Sequence, residues 1–206
     1  LKPYIMPFLL VLSLLGGLLS SLADVQSLGL TESDLNALVE YLLIIFIFVV
    51  SVEVGASLTR GTISSLGKDT LLLTASTISG SLAAGLAASL LPGVGLKLSL
   101  ATSLGMGWYT LTGPLVAASL GTLAGAVAFF SNFIRELFTF FAYPLLKGRL
   151  GARNSIALGG ATTMDTTLTV VAAAAGRETA ALSFMHGALV SILVPLLVSL
   201  ALALVP

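Results

Sequence analysis

The sequence predicts an all-α integral membrane protein: five full transmembrane helices plus two re-entrant or broken helical hairpins, arranged as an inverted repeat. Three observations carry that expectation. Charge is scarce, five apolar stretches are long enough to cross a bilayer, and two further apolar stretches are each interrupted in the middle. Of 206 residues, 57% are hydrophobic and 9% charged, against about 25% charged in a soluble domain. A charge at the bilayer centre costs roughly 2.5–3.5 kcal/mol on insertion scales, so a spanning chain sheds it. The formal net charge is zero, which excludes a nucleic-acid partner held by a basic surface. The partner that composition implies is the lipid bilayer. There is no cysteine, so disulfide and thiol chemistry are excluded too. The chain opens at Leu1 inside an apolar span without a cleavable signal flank, as if its natural first residues were missing.

A helical span needs about 20 apolar residues. Lys2–Leu22, Asn36–Leu58, Thr70–Leu91, Thr122–Leu146 and Thr179–Val205 meet that length. Between them lie the two interrupted stretches, Leu96–Leu120 and Asn154–Gly176. The first is broken by Gly105-Met-Gly-Trp-Tyr-Thr-Leu-Thr-Gly113-Pro114, the second by Gly159-Gly-Ala-Thr-Thr-Met-Asp-Thr-Thr167. Non-helical backbone at membrane depth survives only where protein or a watery cavity surrounds it.

Loop charge sets orientation. Asp24, Glu32 and Asp34 follow the first span with no Lys or Arg among them, which reads as outside. Arg60 and Lys68, and later Lys147, Arg149 and Arg153, read as cytoplasmic. A full crossing by Leu96–Leu120 would put the second basic cluster outside. A re-entrant hairpin keeps every loop in agreement, so hairpins are expected, with the C-terminus outside. An internal repeat points the same way. Aligning Leu104-Gly105 with Leu158-Gly159 pairs Thr112 with Thr166, Phe130 with Phe184 and Asn132 with His186, and a one-residue slip pairs Gly121 with Gly176. Residues 1–95 are then a three-span scaffold. Residues 96–206 are a transport core of two inverted hairpin-plus-span units, 96–150 and 151–206. Inverted repeats built on discontinuous helices are a recurring transporter plan.

Five charged or histidine residues lie more than four residues inside the apolar stretches: Glu53, Arg135, Glu136, Asp165 and His186. Such residues mark pathways or binding sites by default. Glu53 sits near enough to a span end to reach water. Arg135 and Glu136 are adjacent, so a helix points them about 100° apart. Asp165 lies among Thr162, Thr163, Thr166, Thr167 and Thr169, hydroxyls able to cap half-helices and face a cation. Asp165 could equally N-cap the returning half-helix. His186 is read either as a packing residue or, through its pairing with Asn132, as part of the site. Thr112-Gly113-Pro114 suits the start of a half-helix, whose free N–H groups and positive end attract a carboxylate. Glu136 and Asp165 suit an ammonium. Trp108 and Tyr109 either cover an apolar solute stem or pack against neighbouring spans.

Gly105-Met-Gly-Trp-Tyr-Thr-Leu-Thr-Gly113, Ala128-Phe-Phe-Ser-Asn-Phe-Ile-Arg-Glu136, Gly160-Ala-Thr-Thr-Met-Asp165, His186-Gly187 and Leu193-Val-Pro195 together resemble the bacterial lysine exporter LysO family. The likeness is tight from Leu100 onward and looser over the first three spans, including Val54-Gly55-Ala-Ser-Leu58. It implies export of L-lysine and close analogues across the plasma membrane, coupled to a proton or sodium gradient. Glu136 and Asp165 match the acidic residues thought to serve transport in that family. The chain resembles the C-terminal two thirds of longer members, which implies a homo-oligomer or a small separate membrane subunit that supplies extra N-terminal spans.

The candidate substrate-binding set is Trp108, Tyr109, Thr110, Thr112, Asn132, Glu136, Thr163, Asp165, Thr166 and His186, with Glu136 and Asp165 also the candidate ion-coupling pair. No catalytic residue, metal site or cofactor is expected beyond a coupling H+ or Na+. One alternative keeps the fold and changes the cargo to another amino acid or a cation. Another is an intramembrane hydrolase using Asp165 with Glu136 or His186, against which stand the absence of a Gly-x-Gly-Asp run, a His-Glu-x-x-His helix and a Gly-x-Ser-x-Gly elbow.

Overall fold

The computed structural model describes residues 60–205, with side chains from Gly67 onward, and single helical positions at Leu12, Leu15, Gly16 and Tyr41. The expected spans Lys2–Leu22 and Asn36–Leu58 lie outside the described residues. Among those described there are five helices and no strand. Three of the helices are long and apolar enough to cross a membrane.

Helix α1, Arg60–Ala88, starts ten residues before the expected third span, Thr70–Leu91, and ends three residues short of it. Its polar first turns hold no proline to stop them. Its inward face is mostly small and hydroxylated: Thr70, Thr74, Thr77 and Ser81 are buried at helical spacing together with Leu73, while Leu71 and Leu72 point away. Lipid reverses the usual pattern, because hydrocarbon solvates leucine as well as a protein core does. Thr77 bonds back to the Leu73 carbonyl at 2.9 Å, so the hydroxyl is not left bare.

Helix α2, Leu96–Ser103, and helix α3, Tyr109–Leu120, are the halves of the first interrupted stretch. Between them Met106 and Gly107 take φ of 45° and 95°, left-handed values that end α2. Helix α3 begins at Tyr109, so Thr112-Gly113-Pro114 lies within the helix and not at its start. The glycines around the tip turn the chain before the proline is reached.

A single residue, Gly121 (φ 92°), joins α3 to α4, Thr122–Leu150. The two helices pack backbone to backbone. A Cβ on Gly125 would lie 2.8 Å from the Gly113 carbonyl and 2.9 Å from Ala117 Cα. Outward, α4 presents Leu123, Ile134, Phe138, Phe141 and Leu145; inward it presents Asn132, Phe133, Glu136, Thr139 and Tyr143. Tyr143 donates to the Ala152 carbonyl at 3.0 Å, fastening the turn after α4.

The second interrupted stretch enters as two 3-10 turns, Asn154–Leu158 and Gly160–Met164. It leaves in helix α5, Leu168–Leu204, which is bent at Gly176 (φ 80°, ψ 178°). The expected final span from Thr179 is the part of α5 beyond that bend. Gly121 and Gly176 have nearly the same φ and ψ, and each connects a short half-helix to a long span. The core gathers around both breaks: Leu104, Met106, Ala161, Val190 and Val194 belong to one buried cluster.

Replacing Gly125 by leucine should therefore push α3 off α4. Overpacking of a tight contact costs about 1–3 kcal/mol, and the thermal midpoint of the detergent-solubilised protein should fall. A Gly125→Leu protein melting with the wild type would show that this contact yields.

Candidate functional site

Breaking a helix inside a bilayer frees backbone groups that lipid cannot satisfy. Each break here is held by a polar residue from the long helix that follows it. Asn132 of α4 accepts from Gly107 N at 2.7 Å and donates to the Thr102 and Ala128 carbonyls, both at 2.9 Å. His186 of α5 is fully buried and bonds Thr163 Oγ1 through Nδ1 and Thr77 Oγ1 through Nε2, each at 2.9 Å. Both hydroxyls also reach a backbone carbonyl, Thr77 Oγ1 that of Leu73 at 2.9 Å and Thr163 Oγ1 that of Gly160 at 2.7 Å. Ser183 donates to the Thr163 carbonyl at 3.0 Å. Gly187 leaves the space that Thr163 fills, for a Cβ there would lie 2.7 Å from Thr163 Oγ1.

The breaks meet each other. Ala161 N donates to the Met106 carbonyl at 2.8 Å. Gly160 (φ 60°) lies against Met106, and a Cβ on Gly107 would come within 2.9 Å of the Gly159 carbonyl. Only glycine permits this approach from both sides.

Beside that junction sits Glu136, fully buried on α4. The Tyr109 and Thr166 hydroxyls and the Asp165 carboxyl are its neighbours. The two hydroxyls lie within reach of the carboxyl, but neither carboxylate oxygen has a partner within hydrogen-bond geometry. Tyr109 stands edge-on to Phe129 and Phe133, with ring centres 5.1 and 5.5 Å away, so aromatic surface adjoins the carboxyl. Asp165 is half-buried and takes Thr166 N at 2.5 Å and Thr166 Oγ1 at 3.2 Å on one oxygen. Thr167, not Asp165, holds the N-cap position of α5, and without a side-chain cap bond.

Arg135 does not pair with either carboxylate. Its guanidinium donates to the Leu158 and Ala157 carbonyls, at 2.9 and 3.2 Å, and to Ser81 Oγ at 3.0 Å. It fastens α4 to the end of the first 3-10 turn and to α1, leaving Glu136 free.

Of the candidate residues, Tyr109, Glu136, Asp165 and Thr166 converge on one place. Asn132, Thr163 and His186 spend their polar atoms on holding the breaks. Thr112 is buried and bonds the Trp108 carbonyl at 2.8 Å, Trp108 packs against the core cluster, and Thr110 is exposed. Among the described residues no group of three or more His, Asp or Glu could hold a metal. Sequence reasoning missed the anchoring parts played by Arg135, Thr77 and Ser81. The signal available was the spacing of Thr70, Thr74, Thr77 and Ser81 along one face of a span.

An all-helical membrane protein whose two broken helices meet beside an unpaired carboxylate has the form of a membrane transporter. The sequence comparisons make the class specific: residues 10–202 match the family described as lysine exporter LysO, and the chain belongs to that family. It is 33% identical over 165 residues to the protein named "Lysine exporter LysO" of Escherichia coli (strain K12), covering 78% of this chain and 53% of that one. It is 30% identical over 160 residues to the protein named "Putative lysine exporter" of Haemophilus influenzae (strain ATCC 51907 / DSM 11121 / KW20 / Rd), covering 76% of this chain and 80% of that one. The match thus spans about half the length of the Escherichia coli relative. Members of the family are exporters, not enzymes. No solved structure matches the chain.

If Asn132 holds the first break, Asn132→Leu leaves the Gly107 N–H and the Thr102 carbonyl short of a partner. A buried unsatisfied group costs about 1–3 kcal/mol. The variant should melt lower in detergent and exchange its Gly107 amide hydrogen faster; unchanged exchange would remove Asn132 from that role.

Proposed function

We propose that this protein exports L-lysine and close analogues from the cytoplasm across the plasma membrane, driven by a proton or sodium gradient. The observation that carries the reading is Glu136: a fully buried carboxylate with neither oxygen bonded. An unpaired charge in a low-dielectric interior is strongly unfavourable. A carboxylate kept so calls for a cation that comes and goes. Asp165 lies close to it, and the aromatic edge formed by Tyr109, Phe129 and Phe133 offers apolar cover for a four-carbon stem. Lysine supplies both the ammonium and the stem. When it leaves, H+ or Na+ takes over neutralising the pair. The names of both relatives support lysine as the cargo.

The ends of the segments support re-entry. Arg153, just after α4, pairs with Asp69 of α1 at 2.8 Å and with Glu178, just after Gly176, at 2.5 Å. Lys147 donates to the Ala174 carbonyl nearby. These contacts gather the start of the α1 span, the end of α4 and the bend of α5 at one basic end, the cytoplasmic one by the charge rule. A segment that leaves from Asn154 and is back at Gly176 has turned round inside. Since α1 and α4 are each long enough to cross, Ala88 and Thr122 lie at the other end, and α2–α3 begins and finishes beside them. The two hairpins then enter from opposite sides as inverted copies, with residues 96–206 as core and residues 1–95 as scaffold. The C-terminus falls outside.

Two experiments test this. The first uses single cysteines, which the cysteine-free sequence makes unambiguous. Leu90→Cys should label only from outside and Gly148→Cys only from the cytoplasm. Labelling of both from one side would remove the hairpin topology. The second uses proteoliposomes loaded with labelled lysine. Wild type should release it when an H+ or Na+ gradient is imposed, and Glu136→Gln should bind lysine about a hundredfold more weakly, the usual loss when a buried charge partner is truncated. Wild-type efflux from Glu136→Gln would move the site elsewhere, and binding of sodium alone would make the cargo a cation.

A further inference from the structure

Helix α1 meets the core through hydroxyls, and one of them has nothing to bind. His186 Nε2 is hydrogen-bonded to Thr77 Oγ1, and Arg135 Nη1 donates to Ser81 Oγ. One turn nearer the basic end, Thr74 Oγ1 is buried, with 4% of the residue exposed, and has no hydrogen-bond partner. A buried hydroxyl left alone is unfavourable, and nothing in the state described here repays it. The spacing offers an account. Thr74, Thr77 and Ser81 are three and four residues apart, steps of about 4.5 and 6 Å along a helix, either side of the pitch of one turn.

We propose that Thr74 is a positioning residue for transport, the partner that His186 takes when the core slides one helical turn along α1 toward the basic end. In that move His186 exchanges Thr77 for Thr74, and Arg135 exchanges Ser81 for Thr77. Both cations or donors keep a hydroxyl, so the two end states are matched in bonding and separated by one turn, as in other helix ratchets. The opposite slide has no such ladder: beyond Ser81 the next residues on this face are Ala84, Gly85 and Ala88, which offer Arg135 no side-chain oxygen. The direction is therefore set by sequence. Of the other contacts that must yield, Gly85 of α1 against Leu100 and Ser103 of α2 is van der Waals packing, and Arg153–Asp69 has side chains 50% and 39% exposed, where pairs are weakly held. The inward face of α1 is small apart from Leu73, which is buried, and Ile78, which packs against the core cluster, so only these two side chains have to repack in the slide. The slide carries Glu136 and Asp165 with the core, toward the cytoplasmic end. This inference rests on the transport reading given above.

The test joins two readouts. Gly85 of α1 lies against Ser103 of α2, close enough that a cysteine pair there falls within disulfide range. Thr74→Val removes the far rung, so the 85–103 disulfide should form several-fold faster under mild oxidant in that background, and Thr74→Ser should return it to the parent rate. In proteoliposomes Thr74→Val should slow lysine efflux about tenfold, the effect of one buried donor left unpaired, with lysine affinity unchanged. Thr74→Ala serves as a second variant with the same expectations. Equal cross-linking in Thr74→Val and parent, or wild-type efflux from Thr74→Val, would overturn the slide, as would a lysine affinity that falls in step with efflux. A parent protein that moves no lysine would overturn the cargo alone, because the cross-linking comparison needs none.

Discussion

The structure depends on one backbone hydrogen bond, from Ala161 N to the Met106 carbonyl, because it joins two chains of irregular backbone where a membrane tolerates none in contact with lipid. The neighbouring features serve that contact. Gly107 and Gly160 keep Cβ atoms out of it, Asn132 takes up the Gly107 N–H on one side, and His186 with Ser183 secures Thr163 on the other. The long helices α4 and α5 can then be read as struts that carry two polar anchors each, Asn132 and Arg135 on α4 and Ser183 and His186 on α5. Their lipid-facing sides are unremarkable leucine, isoleucine and phenylalanine, and the specificity lies in what faces inward.

The same economy explains why α1 is hydroxylated. Arg135 and His186 both need a partner beyond the core, and a carboxylate on α1 would fix them in place by a strong buried pair. Threonine and serine satisfy a donor without adding charge, and they return their own hydrogen to the helix backbone, as Thr77 does to Leu73. The contact between α1 and the core is thus polar enough to be specific and weak enough to be exchanged.

Much of this was legible in the sequence. Glycine, proline and threonine runs mark both breaks because those residues cannot continue a helix in lipid without help, but the first break is shorter than the expected 105–114, ending at residue 108, and the second is longer than the expected 159–167, with non-α backbone from 151 to 167. The pairing of Asn132 with His186 was visible as an alignment, and the two residues do anchor their respective breaks. The start of α3 was misread: Thr112-Gly113-Pro114 has the composition of a helix start, but Met106 and Gly107 had already turned the chain, and Tyr109 begins the helix. The divergence of Arg135 from Glu136 was legible in their adjacency on one helix, but its partners were not, and only three dimensions reveal the carbonyls of Ala157 and Leu158 and the hydroxyl of Ser81 as those partners. The capping role open to Asp165 depended on the register of α5, which composition does not specify.

That separation of two neighbours is what makes the site chemically intelligible. Adjacent residues on a helix diverge by about 100°, so α4 can send a permanent cation to one neighbour and a carboxylate to another. Had Arg135 reached Glu136, the pair would have neutralised itself and no external cation would be required. Because the guanidinium is consumed by carbonyl groups, Arg135 supplies no counter-charge to Glu136 or Asp165. On the proposed reading lysine would supply it, since it brings one positive charge more than a neutral amino acid, whose ammonium and carboxylate cancel. Selectivity for a cationic amino acid would then rest on where Arg135 points, and not only on the acids themselves.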